Sequence, residues 1–351
     1  MKSHSLTFCA TAFLACWMVS ASRAQNPPPV NPEALTTRFT ETVTLRPPSL
    51  QTKQIRLWIP IPSDSPQQRV LQVSIHAPVP YRLTQEERYH NRMAYLVFDH
   101  PNQHPISLEV SWVVTRYATP RFPSVRPFPL VSALFLQPDR LVPVGGPYTA
   151  LARQQTASAS APYDKAERLF AYVTQHFRYD YSDSSPEYGN GDVAFVCSYK
   201  KGNCSDIHSV LVTLLRSLGI PAYIAFGFPL TGIPAPNPLP TEGTIGGYHC
   251  WVWANVPHKG WMPMDAADAI RWNDHGYPQM ANRLFGALYL PRTAVDVSRG
   301  RDIVLSPHQK AGPLNYFIYP YAEADGKALH VNWHLQFKVL SYTASDAQTH
   351  Q

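Results

Sequence analysis

From residue 37 to residue 117 the apolar positions recur every second residue. Thr40, Thr42 and Thr44 alternate with Glu41, Val43 and Leu45, so the two sets point to opposite faces of a strand. The same alternation predicts strands over 55–59, 70–75, 94–98 and 106–117, with Pro62-Ser63-Asp64 and Pro101-Asn102 as turns between them. Short strands at this spacing predict a β-sandwich over residues 37–118. No chemistry is concentrated there, and a scaffolding or substrate-positioning role is expected of it.

The period changes further on. Pro162 suits the first turn of a helix, and Ala166, Leu169, Phe170, Val173 and Phe177 follow on one helical face. A second helix starts at Cys204, with Ile207, Val210, Leu211, Leu214, Leu215 and Leu218 on its apolar side. Asn203 is a good N-cap, Asp206 completes a capping-box pattern, and Gly219 followed by Pro221 ends the helix. Residues 222–228 read as a strand and 229–247 as a long Pro/Gly loop, a candidate lid. Along 248–256, His249, Trp251 and Trp253 share one face and Cys250, Val252 and Ala254 the other. Residues 257–260 turn the chain back into a strand that ends at Asp265.

That hairpin sets a register condition. Side chains alternate, so His249 and Asp265 share a face only if the numbers of paired residues sum to an even value. An unbulged two-residue loop at His258-Lys259 gives an odd sum; a three-residue loop at 257–259, or a five-residue loop ending in Gly260, gives an even one. A later hairpin is predicted at Asp325-Gly326, between 314–323 and 327–339, and is expected to extend the sheet of the core.

Composition adds three constraints. The 351 residues are 44% hydrophobic and 15% charged, enough apolar content for buried cores and too little charge for a disordered chain. The 35 prolines favour strands and loops over long helices. Seven of them fall in 118–147, which reads as a linker. Lys2, the apolar run 6–19 and Ser22-Arg23-Ala24 read as a secretory signal over residues 1–24. The run is too short to span a bilayer, and a lipidated Cys16 or an uncleaved anchor suits the residues less well. Removal of the signal takes Lys2 and Arg23, lowering the formal charge from +6 to +4. That charge is unclustered, which argues against a nucleic-acid partner. Of the five cysteines, Cys197, Cys204 and Cys250 remain. An odd number in an oxidising compartment leaves one thiol to be explained by chemistry. With Cys204 free, Cys197 and Cys250 are the only pair open to a disulfide.

Cys204 is the natural choice for that chemistry. The start of a helix carries partial positive charge and unpaired N–H groups, which stabilise a thiolate and a developing oxyanion. His249 can exchange protons with it while Asp265 holds the imidazole. Asp206 reads as a cap, and His208, one turn beyond Cys204, as a residue that touches the site or simply packs. The spacing of Cys197, Cys204, His249 and Cys250 matches no standard zinc arrangement, so no metal and no cofactor is expected.

Four blocks together, Gly202-Asn203-Cys204-Ser205-Asp206-Ile207-His208, Gly219-Ile220-Pro221-Ala222, Gly247-Tyr248-His249-Cys250-Trp251 and Gly260-Trp261-Met262-Pro263-Met264-Asp265, resemble the transglutaminase-like core of bacterial exported proteins. Weaker likenesses lie at 189–192, 300–303, 313–321 and 57–62. The resemblance implies a papain-like core, Cys204, His249 and Asp265 as its triad, and an aromatic residue upstream of the cysteine as an oxyanion helper, where this chain has Tyr188. The fold expected is α+β: residues 1–24 signal, 25–36 a disordered leader, 37–118 the β-sandwich, 119–161 a proline-rich linker, 162–340 the catalytic domain, 341–351 a tail. The function expected is amide or peptide hydrolysis through a thioester, on a protein, peptide or cell-wall substrate, outside the cytoplasm and with no integral membrane segment after signal cleavage. The rivals are glutamine transamidation and a catalytically silent binding module.

Overall fold

The computed structural model describes residues 31–118, 133–182 and 184–343; the signal segment and the first half of the leader lie outside these. In chain order the elements are β1 (Ala34–Leu45), β2 (Gln54–Ile61), β3 (Gln68–His76), β4 (Tyr81–Gln85), β5 (Arg92–Asp99), β6 (Ile106–Tyr117), α1 (Pro147–Gln155), α2 (Pro162–His176), β7 (Arg178–Tyr179), α3 (Val193–Tyr199), β8 (Lys201–Gly202), α4 (Cys204–Ser217), β9 (Ala222–Phe228), β10 (Glu242–Ile245), β11 (His249–Val256), β12 (Gly260–Met264), α5 (Ala266–Asp274), α6 (Pro278–Arg283), β13 (Val295–Arg299), β14 (Tyr321–Ala324), β15 (Lys327–Leu329) and β16 (Val331–Thr343). The fold is α+β, as the periodicities predict.

Two five-stranded sheets form the sandwich, in the orders β10-β16-β1-β6-β3 and β15-β14-β2-β5-β4. Their inner faces pack together: Phe39, Val43 and Leu45 of β1 and Val110 of β6 share one buried cluster with Leu57 and Ile59 of β2 and Leu96 of β5. The core sheet runs β12-β11-β9-β13. A second cluster joins Trp58 of β2 and Tyr95 of β5 to Tyr223, Trp251 and Trp253 of the core sheet. Strands β2 and β5 of the second sandwich sheet are therefore buried on both faces, and they brace the sheet that carries the candidate site.

The structure corrects the predicted boundaries at four places. Residues 34–36, assigned to the leader, start β1 because both β6 and β16 pair with them. Within the predicted linker, Pro147 opens α1, whose Ala152 is fully buried. Residues 341–343, assigned to the tail, end β16. The hairpin at Asp325-Gly326 forms, but β14 pairs with β2 and β16 with β1 and β10. It extends the sandwich and not the core sheet, because the free edges of the N-terminal strands are the ones within its reach. Among the described residues no helix is long and apolar enough to cross a membrane.

One core residue is out of character. Glu41 points inward from β1, opposite Val110 and Leu335, and is 1% exposed. Burial pushes its carboxyl up from 4.5 to about 8. The native state thus keeps a proton that the unfolded chain has lost, and stability falls as pH rises from about 4.5 to about 8, by at most about 1.4 kcal/mol per pH unit. In urea melts at pH 5 and pH 8, the wild type should lose more stability across the interval than Glu41→Gln. Equal losses would show that Glu41 is not held protonated.

Candidate active site

Asn203 caps α4 by accepting from the amides of Ser205 (2.9 Å) and Asp206 (3.4 Å), and the Asp206 carboxylate accepts the Asn203 amide in return (3.0 Å). Asp206 also accepts the Gly189 and Gly191 amides at 2.9 and 2.8 Å, tying the glycine-rich approach to the helix start. Gly202 is required here, since a Cβ on it would lie 2.4 Å from the Asp206 side chain. At the other end Gly219 takes φ +77°, and the Gly219 and Ile220 amides bond back to Arg216 and Leu215 at 2.9 and 3.0 Å, closing a Schellman motif. Cys204 thus occupies the first turn of a well-terminated helix and is 4% exposed.

The β11–β12 hairpin has the three-residue loop. Val256 pairs with Gly260 and Val252 with Met264, an even sum throughout. His258 and Gly260 take positive φ of 65° and 73° to close it. Asp265, one residue beyond β12, is the N-cap of α5. Its Oδ1 accepts the Asp268 amide at 3.0 Å, which leaves Oδ2 2.7 Å from His249 Nε2. His249 Nδ1 makes no hydrogen bond of standard geometry. Cys204 lies against the same imidazole, and such contacts commonly tighten only when substrate binds. The three predicted residues therefore converge, on α4, β11 and the start of α5.

Sequence inspection missed much of the surrounding network. Asp268 is fully buried 3.4 Å from His249 Nε2, and it is gripped by Arg292 (Nε, 2.7 Å) and Arg271 (Nη1, 3.1 Å). The Asp-x-x-Asp spacing across a helix start was the available signal for it. His208, also fully buried, places Nε2 3.4 Å from Asp265 Oδ1 and Nδ1 3.4 Å from Cys250 Sγ. The Tyr248 and Ser205 hydroxyls are 2.6 Å apart. Tyr248, Tyr316 and Tyr319 make an aromatic wall beside Cys204, with ring centroids 5.4 and 5.9 Å from Tyr248. On another side, Arg271 stands over Tyr179 and Tyr181 at 5.0 and 5.3 Å.

Two points that the sequence left open concern the other cysteines and Tyr188. Cys197 and Cys250 are both free thiols: Cys250 faces α4, while Cys197 lies on α3. Tyr188 gives its hydroxyl to the Asp180 carbonyl at 2.8 Å. Buried Arg301 bonds to the Asn190 carbonyl, Asn315 Oδ1 and Ser209 Oγ, each at 2.8 Å, so three of the flanking blocks meet behind α4.

The charges fall in a consistent pattern. The hydrogen bond from Cys250 and the His249 imidazole outweigh burial and push the Cys204 thiol well below its ordinary value. Burial opposes charge on His249, but the Asp268 and Asp265 carboxylates overcome it and raise the imidazole from 6.5 to about 9. For Asp265 burial is likewise overcome, by His249 and His208, and the carboxyl is held below the usual range. Both shifts favour a thiolate beside an imidazolium. His249, Asp265 and Asp268 also lie close enough together to share a cation. Arg292 and Arg271 already neutralise Asp268, however, and Asp265 is bonded to His249, so this donor set fits an ion pair better than a metal.

Residues 149–266 match the family model of the transglutaminase-like superfamily. The chain carries a transglutaminase-like core. An uncharacterized protein of Haemophilus influenzae is 26% identical over 355 residues, covering 92% of this chain and 94% of its own length. A candidate cysteine protease from Cytophaga hutchinsonii shares the fold, with a TM-score of 0.54 and 14% identity over 90% of this chain and 95% of its own. The periplasmic domain of TgpA from Pseudomonas aeruginosa aligns over 72% of this chain and 93% of its own, with 14% identity and a TM-score of 0.37.

Proposed function

We propose that the protein is an exported, cysteine-dependent acyl-transfer enzyme that hydrolyses amide or peptide bonds. The observation that carries this is the Cys204 thiol at the capped start of α4, against an imidazole that is held 2.7 Å from Asp265. Cys204 Sγ attacks the carbonyl carbon, and the charge moves to an oxygen that the Cys204 amide, which the Asn203 cap does not take up, can receive. The C–N bond breaks as His249 gives its proton to the leaving amine. Water, deprotonated by His249, then cleaves the thioester and returns the free thiolate. Asp265 orients the ring throughout. Residues 1–24 supply the export signal.

The test is to incubate the mature chain with pools of peptides and cell-wall fragments in ¹⁸O-labelled water, with and without an added primary amine. Hydrolysis places ¹⁸O in a new carboxylate. Transamidation releases the original amine and puts the added amine in its place without ¹⁸O, and a binding module changes nothing. Because His249 loses its proton near pH 9, the rate should fall on the alkaline side of about that value. A rate that keeps rising beyond pH 10 would count against imidazolium as the proton donor.

A further inference from the structure

We infer that the outer edge of β10 holds the main chain of a peptide substrate as an added strand, so that the enzyme acts on extended polypeptide segments and not on small amides. This deepens the proposed hydrolysis and rests on the assignment of Cys204 as the nucleophile.

Among the described residues β10 is the outermost strand of its sheet. It pairs with β16 in the register Glu242–Lys338, Gly243–Phe337, Thr244–Gln336 and Ile245–Leu335. One residue ahead of the strand, the Thr241 carbonyl accepts the Val339 amide at 2.6 Å. In an antiparallel ladder, hydrogen-bonded pairs alternate with non-bonded ones. Gly243 and Ile245, two and four residues on from Thr241, therefore also turn their N–H and C=O groups toward β16. Glu242 and Thr244 turn theirs to the open edge. Residues 242–244 are all exposed, and no described residue hydrogen-bonds to that edge.

The edge leads into the site. β10 continues through Gly246 and Gly247 to Tyr248 and His249, so His249 lies five residues beyond Thr244 and at most about 18 Å from it. A Cβ on Gly246 would meet nothing within 4 Å, and on Gly247 it would meet the Tyr319 hydroxyl at 4.0 Å. That hydroxyl accepts the Tyr248 amide at 3.2 Å, and the Tyr319 ring stacks on Trp333 of β16 with centroids 4.7 Å apart. Direct contacts thus join the sheet edge to the aromatic wall beside Cys204. A strand of about five residues spans the distance. Outward N–H and C=O groups on every second residue match the main chain of an extended peptide, which pairs with a sheet edge in this way. Four residues make too short an edge for stable association through it alone, so a peptide stays there when the site holds it as well.

The experiment measures alkylation of Cys204 in the mature chain by pooled acetyl-pentapeptidyl chloromethyl ketones with randomised side chains, read by mass spectrometry. Acetyl-alanyl chloromethyl ketone, which has the same reactive group on a single residue, is the reference. The pentapeptide pool should react roughly tenfold faster than the reference, the gain of one or two main-chain hydrogen bonds. Further pools carry one N-methyl group each, at a defined position. Methylation at alternate positions should slow the reaction about fivefold, and at the intervening positions much less. Thr244→Pro removes an N–H that is not part of the β16 ladder and should abolish the sensitivity at one of the alternate positions. Glu242→Pro makes the same test if Thr244→Pro does not fold. Equal rates for all the methylated pools, or an alternation unchanged in the folded proline variants, would overturn the role of the β10 edge. Alkylation of Cys204 by the reference compound no faster than that of Cys197 would instead overturn the nucleophile assignment, so the two failures are told apart.

Discussion

Replacing Cys204 by serine should lower turnover by roughly 10⁴-fold or more while leaving the chain folded. The hydroxyl keeps the shape but, unlike the thiol, stays un-ionised beside His249. The site stabilises an anion on sulfur through Cys250, His249 and His208, and none of these gives serine a nucleophile of comparable strength. The stability change should stay within about 1 kcal/mol, since N-capping rests on Asn203 and Asp206. His249→Ala should lose turnover to a similar degree, and Asp265→Asn less, because Asp265 orients and does not react. The check is turnover on the substrate found above, together with a urea melt. A Cys204→Ser variant retaining a tenth or more of wild-type turnover would mean that another group is the nucleophile.

The second large effect falls on stability. Asp268→Ala leaves Arg292 and Arg271 buried without their shared carboxylate. Breaking a buried pair on one side costs about 3–5 kcal/mol, which should show as a clear drop in the urea midpoint. Asp268→Asn keeps the volume and some hydrogen bonding, and it reports on the chemistry. Asp268 is the largest influence raising His249, so without its charge the alkaline limb of the pH–rate profile should move below pH 9. An unchanged midpoint in the alanine variant, or an unchanged limb in the asparagine variant, would remove Asp268 from the active network.

Local sequence determined a good deal. The capping box, the apolar stripe and Gly219 were sufficient to place α4 from Cys204 onward, because caps and helical periodicity act within a few residues. Parity excluded an unbulged two-residue loop between β11 and β12, because a one-residue slip would have turned Asp265 away from His249, and the structure has the three-residue one of the two loops that parity allowed. The alternation over 37–117 gave β1, β2, β3, β5 and β6, though not the short β4, whose side chains are mostly exposed and carry little pattern.

What the tertiary structure decided was everything that depends on contacts distant in sequence. Strands β14–β16 complete the sandwich more than 200 residues after it begins, and nothing in their own pattern names the edge they join. Asp268 matters because Arg292 reaches it from 24 residues away, and Cys250 because His208 lies 42 residues before it. Each of these looks ordinary by itself: an acid in a helix, a small residue in a buried strand, a histidine one turn past the nucleophile. Their importance lies in being buried together, where a charge or a proton without a partner is costly, and only packing brings the partners together.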